Sequence, residues 1–234
     1  MAILTESGDM HSADDKAAAP APVINLYEPV GRSQWDHMFG DKKLLPVANA
    51  IQAKGNLVRS RSRYLRDTFG QAGFDAVAVR LTGEALGYLV SPPVVNSWCG
   101  YKSLCEVDCM IGTVAMAGNI SLMKPFGFAV ATYDIPTVYK ALYHLASPTR
   151  LLQMIKLAWG FYLKPGALHV EVVSDKVSRV TMTGCVVGRY LCEVGICGWM
   201  EATMGLSGAR EPRCEHTRCR HRTDPACEWT VTWA

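Results

Sequence analysis

Apolar positions along the chain change their period twice, and the changes divide it. Residues 1–33 have almost no apolar period; they are small, polar and Ala/Pro-rich between Ala17 and Pro22, and read as a disordered tail. Trp35 to Phe39 reads as a loop ending in two aromatics, or as a short docking segment. From Pro46 to Val90 the spacing turns helical. Val47, Ile51 and Lys54 lead to a break at Gly55-Asn56. Tyr64, Leu65, Thr68 and Phe69 follow and are stopped by Gly70. Asp75 to Leu81 resumes the pattern, and Gly83 and Gly87 weaken it. Ser91-Pro92-Pro93 is a hard boundary, because a residue before proline is pushed out of helical geometry. Trp98 to Ala117 and Ile135 to Phe161 are again mostly helical. In the second, Val138, Leu142 and Leu145 make one face. Ser147-Pro148 restarts the helix with a good N-cap, and Leu151, Met154, Ile155, Ala158 and Trp159 make another face.

At Lys164-Pro165-Gly166 the period drops to two. Leu168, Val170 and Val172 alternate with His169, Glu171 and Val173, Ser174-Asp175-Lys176 turns the chain, and Val177 to Met182 returns as a second strand. Gly184 ends it, Val186 to Leu206 reads as a helix closed by Gly208, and residues 209–221 and 227–233 form two more strands around Thr223-Asp224-Pro225. The expected architecture is α+β. A helical half (46–163) precedes a hairpin–helix–hairpin unit (166–234) with a four-stranded antiparallel sheet covered by helices on one face, all within one domain, 34–234.

Composition adjusts this picture at its surface. Hydrophobic residues are 49% of the chain and charged ones only 19%, so apolar surface should remain to be covered, by a homodimer formed through the helical half or by a protein partner. A net charge of +3 is too mild for a phosphate-tracking surface, and nucleic acid is not expected. No run reaches the ~18–20 apolar residues of a membrane span. Residues 1–20 carry Glu6, Asp9, Asp14 and Asp15 in place of a basic and then apolar leader. The expectation is a cytoplasmic protein whose nine cysteines are reduced, buried or metal-bound.

Chemistry gathers in the last hairpin. With the turn near Thr223, Cys219 and Cys227 lie opposite each other, at the ~5 Å Cβ spacing of a cross-strand pair. Two thiolates there can share a tetrahedral zinc, with His216, Cys214 and, on the preceding helix, Cys192 within reach. Strict alternation puts His216 and Cys219 on opposite faces, so a bulge is required. The plain alternative is a pair of buried cysteines acting as small hydrophobes. The helix before the hairpin carries Gly188, Cys192, Gly195, Cys197 and Gly198, a small-residue seam suited to close helix–sheet packing or to a ligand. A pocket between it and the helical half would be lined by Trp159, Phe161, Tyr162, Met182, Tyr190, Trp199, Met200 and Met204, which suits a small apolar guest or an ordinary core. Cys105 and Cys109 share a helix face near Cys99, a second place for a metal or cluster but with no histidine beside them, and His144 and His169 are candidate haem or acid/base groups, each alone in its segment and read first as an ordinary core or surface histidine. No nucleophile, base and oxyanion hole assemble, so an enzymatic role is not expected.

Gly166 to Ala234 resembles the vinyl-4-reductase-type domain, related to subunits of the TRAPP tethering complex and found as the sensing module of activators of aromatic catabolism. The matching pieces are Gly195 to Gly208 and the pair Cys219 and Cys227. The resemblance implies a structural zinc on Cys192, Cys219, Cys227 and the position of His216, where the sensing modules carry a carboxylate; Glu215 is adjacent. Arg59 to Ala234 is also similar, more loosely, to a myxobacterial family of uncharacterised paralogues, through Tyr64-Leu65-Arg66-Asp67-Thr68-Phe69-Gly70 and the helix after Pro148. The resemblance implies a small-molecule sensor acting through a dimer or partner. A tethering-type scaffold is the alternative, and a tetrapyrrole enzyme is implied by the family's name alone.

Overall fold

The computed structural model describes residues 43–138 and 147–234. The tail, Trp35 to Phe39, Leu142, His144 and Leu145 lie outside the described residues.

The helical half opens with α1 (Leu44–Asn49), a short strand β1 (Gln52–Lys54), α2 (Gly55–Ala78) and α3 (Gly83–Val90). Gly70 interrupts α2 with φ 65°, a left-handed value open to glycine, which places the expected stop where the sequence put it. Strand β2 (Trp98–Gly100) then leads into α4 (Tyr101–Met110), which runs on through a π-turn over Ile111–Ala115. The sequence assigned Trp98 to Gly100 to a helix. Instead β1 pairs antiparallel with β2 and with β3 (Leu163–Lys164), a small sheet drawn from three distant stretches. Strands of two or three residues show no period to read. Helix α5 (Met123–Val138) begins well before the expected Ile135, and α6 (Pro148–Ala158) starts where Ser147 accepts from the Arg150 N–H at 3.4 Å.

The second half holds β4 (Ala167–Ser174), β5 (Val177–Thr183), β6 (Arg213–Arg218) and β7 (Cys227–Thr232), antiparallel in the order β4-β5-β7-β6. Alternation holds on the two central strands, which bury Val180, Met182, Trp229 and Val231 on one face. Edge strand β4 buries only Leu168 and leaves Val172 and Val173 exposed. The chain is α+β, as its patterning indicates. Helix α7 (Ile196–Leu206) follows a π-turn over Leu191–Gly195, so regular helix starts later than Val186.

The glycine seam packs against a helix, α5, rather than the sheet. A Cβ on Gly127 would stand 1.8 Å from the carbonyl oxygen of Gly195, and one on Gly198 would stand 1.9 Å from that of Lys124. The two backbones touch, and this contact fixes the helical half on the sheet unit. Deeper in, Arg61 of α2 clamps Asp108 of α4 through Nε at 2.9 Å and Nη2 at 3.0 Å, both side chains buried.

Candidate functional site

The last hairpin turns at Arg220–Arg222 and Thr223, which takes a left-handed φ of 72°. Asp224 accepts from the Cys219 N–H at 2.8 Å and closes the loop. The register of β6 and β7 slips between His216 and Arg218, so a bulge turns both His216 and Cys219 toward α7. Cys192, from the π-turn ahead of α7, meets them there. Its sulfur lies 3.4 Å from Cys227 Sγ, 3.9 Å from Cys219 Sγ and 3.9 Å from His216 Nε2. The four candidate ligand atoms all lie within 4.8 Å of one another, and the three cysteines are buried. A tetrahedral ion with ~2.3 Å bonds to sulfur separates its ligands by ~3.8 Å, so the spacing suits one ion.

Charge is unevenly shared in the cluster. Hydrogen bonds from Cys192 and Cys227 hold the Cys219 thiol well below its ordinary range, and the bond to Cys219, the bond to Cys227 and burial push Cys192 well above it. The Arg220 N–H also points at Cys227 Sγ, at 3.5 Å. His216 is fixed by stacking on Trp229, with ring centroids 4.8 Å apart and planes at 12°. Cys214 faces elsewhere: its N–H donates to Glu201 and its sulfur lies 3.7 Å from Met200 Sδ, and Glu215 is exposed.

The eight aromatic and methionine positions do not form one pocket. Trp159, Tyr162 and Trp199 come together with Tyr101, Leu104 and Val130 around an apolar gap of about 60 Å³. The gap lies where α2, α4 and α5 meet the sheet unit. Met182, Met200 and Met204 are buried in the core, Phe161 is exposed, and Tyr190 covers Gly112. Tyr101 and Leu104 were missed by the sequence reading, since nothing in α4 distinguishes a gap-facing residue from a packed one.

The other singled-out residues find ordinary surroundings. Burial raises Cys105, and raises Cys109 to about 12, so both stay neutral thiols. His169 is exposed and lies 3.1 Å from the Thr183 hydroxyl. A second cleft, larger and lined by charged as well as apolar groups, lies between α2 and α5 and carries Arg59, Arg63 and Arg66. The sequence reading did not single it out.

No family model matches the chain, and no curated protein matches it. Solved structures do. An H-NOX protein from S. oneidensis in the Fe(II)NO ligation state superposes with a TM-score of 0.59 at 14% identity, covering 77% of this chain and 99% of that one. A mutant of the K. algicida H-NOX protein, Fe(II) and unliganded, gives 0.57 at 14%, covering 77% and 96%. An oxygen-binding H-NOX domain related to soluble guanylate cyclases gives 0.52 at 12%, covering 77% and 94%. A further structure of the family concerns heme distortion.

The fold is that of the H-NOX proteins, and two expectations are corrected. The vinyl-4-reductase resemblance rested on 166–234, whereas the superposition covers 77% of the chain and so takes in helices of the first half. A hairpin–helix–hairpin unit is a local motif, and the helices placed on it decide the fold. The structural zinc on Cys192, His216, Cys219 and Cys227, expected from the cross-strand spacing and then from that resemblance, is corrected as well: the structures that share this fold are described by Fe(II) and heme. Among the described residues no helix is long and apolar enough to cross a membrane.

Proposed function

We propose that the chain is a ligand-sensing module on the H-NOX fold, and that its ligand is a small apolar molecule seated in the gap around Trp159, Tyr162 and Trp199. The observation that carries this reading is the position of the gap. A guest there touches α4 and α5 on one side and the sheet unit on the other, so it binds differently as the two halves shift. A ligand moves a conformational equilibrium only through such a difference. Occupancy would pass to a protein partner or a second copy of the chain.

The family implies heme, and the described residues of this chain do not fit one. The gap of about 60 Å³ holds a few atoms, not a macrocycle, and among the described residues no histidine, cysteine or methionine lines it. The cation that lines it among the described residues, Arg61, is already bonded to Asp108. We therefore assign no heme step. Guests of two to four heavy atoms are expected, with dissociation constants of order millimolar by the ceiling on binding energy per atom.

Xenon tests this. Dissolved under pressure, it should shift the methyl resonances of Leu104 and Val130 saturably, and Leu104→Trp, which fills the gap, should abolish the shift. Absent or non-saturable shifts would sink the reading. So would a one-to-one Soret band on adding hemin, lost in Trp159→Ala, since the site would then be a heme pocket.

A further inference from the structure

We propose that the arginine-bearing cleft between α2 and α5 is a second ligand site, and that it takes an organic phosphate of mononucleotide size. Its volume is about 460 Å³, within the ~300–1,000 Å³ range of small-molecule sites. It is separate from the apolar gap, and the argument does not rest on the reading of that gap.

Helix α2 builds one wall. Asn56, Arg59, Ser62, Arg63 and Arg66 recur at spacings of three and four, so they stand on one face and all line the cleft. The three arginines are exposed while Asn56 and Ser62 are each about nine-tenths buried at its floor. Neither the Asn56 carboxamide nor the Ser62 hydroxyl has a side-chain hydrogen bond among the described residues. Their polar atoms open into the cleft, which is wide enough to hold a partner. The opposite wall is Pro92, Val95 and Tyr133, flat and largely apolar.

The charge favours an anion. Arg63 is bound to Asp67 at 3.3 Å and lies over the Tyr133 ring at 4.1 Å, so it is spent on the wall. Arg59 holds only a 3.5 Å contact to the Pro93 carbonyl oxygen. Arg66 lies over the Phe74 ring at 3.6 Å and donates to Gln71 from Nη1. Both can turn further donors to a ligand, and a guanidinium fork matches phosphate oxygens. Two carboxylates face the cleft. Asp67 is neutralised by Arg63. Asp134 is buried, and burial raises it to about 7, toward the neutral acid. The phosphate would sit between Arg59 and Arg66, and the ester's flat portion against Val95 and Tyr133.

The test is calorimetric titration of the full chain with AMP, inorganic phosphate and adenosine. Saturable one-to-one binding of AMP is expected, with weaker phosphate binding, still weaker adenosine binding, and a loss of affinity as salt is raised. Arg59→Gln with Arg66→Gln changes only exposed side chains and should weaken AMP at least tenfold with an unchanged melting temperature. Asn56→Asp keeps the shape, places a carboxylate on the floor and should do the same. No AMP binding at millimolar concentration would overturn the proposal. So would adenosine binding as tightly as AMP, or AMP affinity unchanged in the double variant.

Discussion

Breaking the buried ion pair is expected to be costly: Arg61→Met should lower stability by about 3–5 kcal/mol, because it strands Asp108 without its partner. Both side chains are almost wholly buried, and the guanidinium grips the carboxylate with two bonds, at 2.9 and 3.0 Å. The penalty belongs to the orphaned charge rather than to the bond itself. Arg61→Met combined with Asp108→Leu should therefore recover much of the loss, and chemical denaturation of the two variants checks it. Equal losses in both would show that the pair matters through shape alone.

Asp134 gives the same region a pH signature. Burial is the largest cause of its rise from 3.8 to about 7, and Arg61 opposes that rise. A carboxyl raised in the folded state binds its proton more tightly there than in the unfolded chain. Its contribution to stability is therefore greatest below about pH 4 and falls as pH rises toward 7. Asp134→Asn should flatten that slope, read from denaturation midpoints at pH 5 and 7.5.

The second large effect is expected at the crossing of α5 and α7. Gly127→Ala places a methyl 1.8 Å from the Gly195 carbonyl oxygen, and Gly198→Ala places one 1.9 Å from that of Lys124. The obstacle in each case is backbone, which cannot rotate aside as a side chain would. The helices must separate, and the small gap beside Gly127 opens with them. The expected cost is at the upper end of overpacking, about 3 kcal/mol or more, with a melting temperature lower by roughly 6–12 °C for a chain of this size. Gly205→Ala is the control. It lies in the same helix with nothing within 4 Å of the new methyl, and should stabilise by about 0.5–1 kcal/mol. If Gly127→Ala melts like Gly205→Ala, the crossing is not backbone to backbone.

What the sequence determined alone was the part set by near neighbours. The alternation of Leu168, Val170 and Val172, the return from Val177 to Met182 and the turn residues between them specify a hairpin, because side-chain direction reverses at every residue of a strand. Gly70 and Ser147-Pro148 marked real ends for the same local reason. The cross-strand relation of Cys219 and Cys227 follows from counting back from Thr223. Helix α5 was missed because it is apolar on most sides: Met123, Phe126, Val130 and Ala131 are buried while Phe128 is exposed, so no stripe marks it. Its place is fixed by glycines that meet a backbone some seventy residues away, which no local period records. Strands β1, β2 and β3 are likewise defined only by one another. The same division separates the sites. The arginine stripe on α2 is countable from spacing, but the wall opposite it comes from α5 and from Pro92 and Val95 after α3, and the bulge that brings His216 to Cys192 comes from strand register. Fold family was decided there too. The sheet unit is written in nearest-neighbour patterning, and the helices set upon it, which make the chain similar to H-NOX proteins, are held by long-range packing.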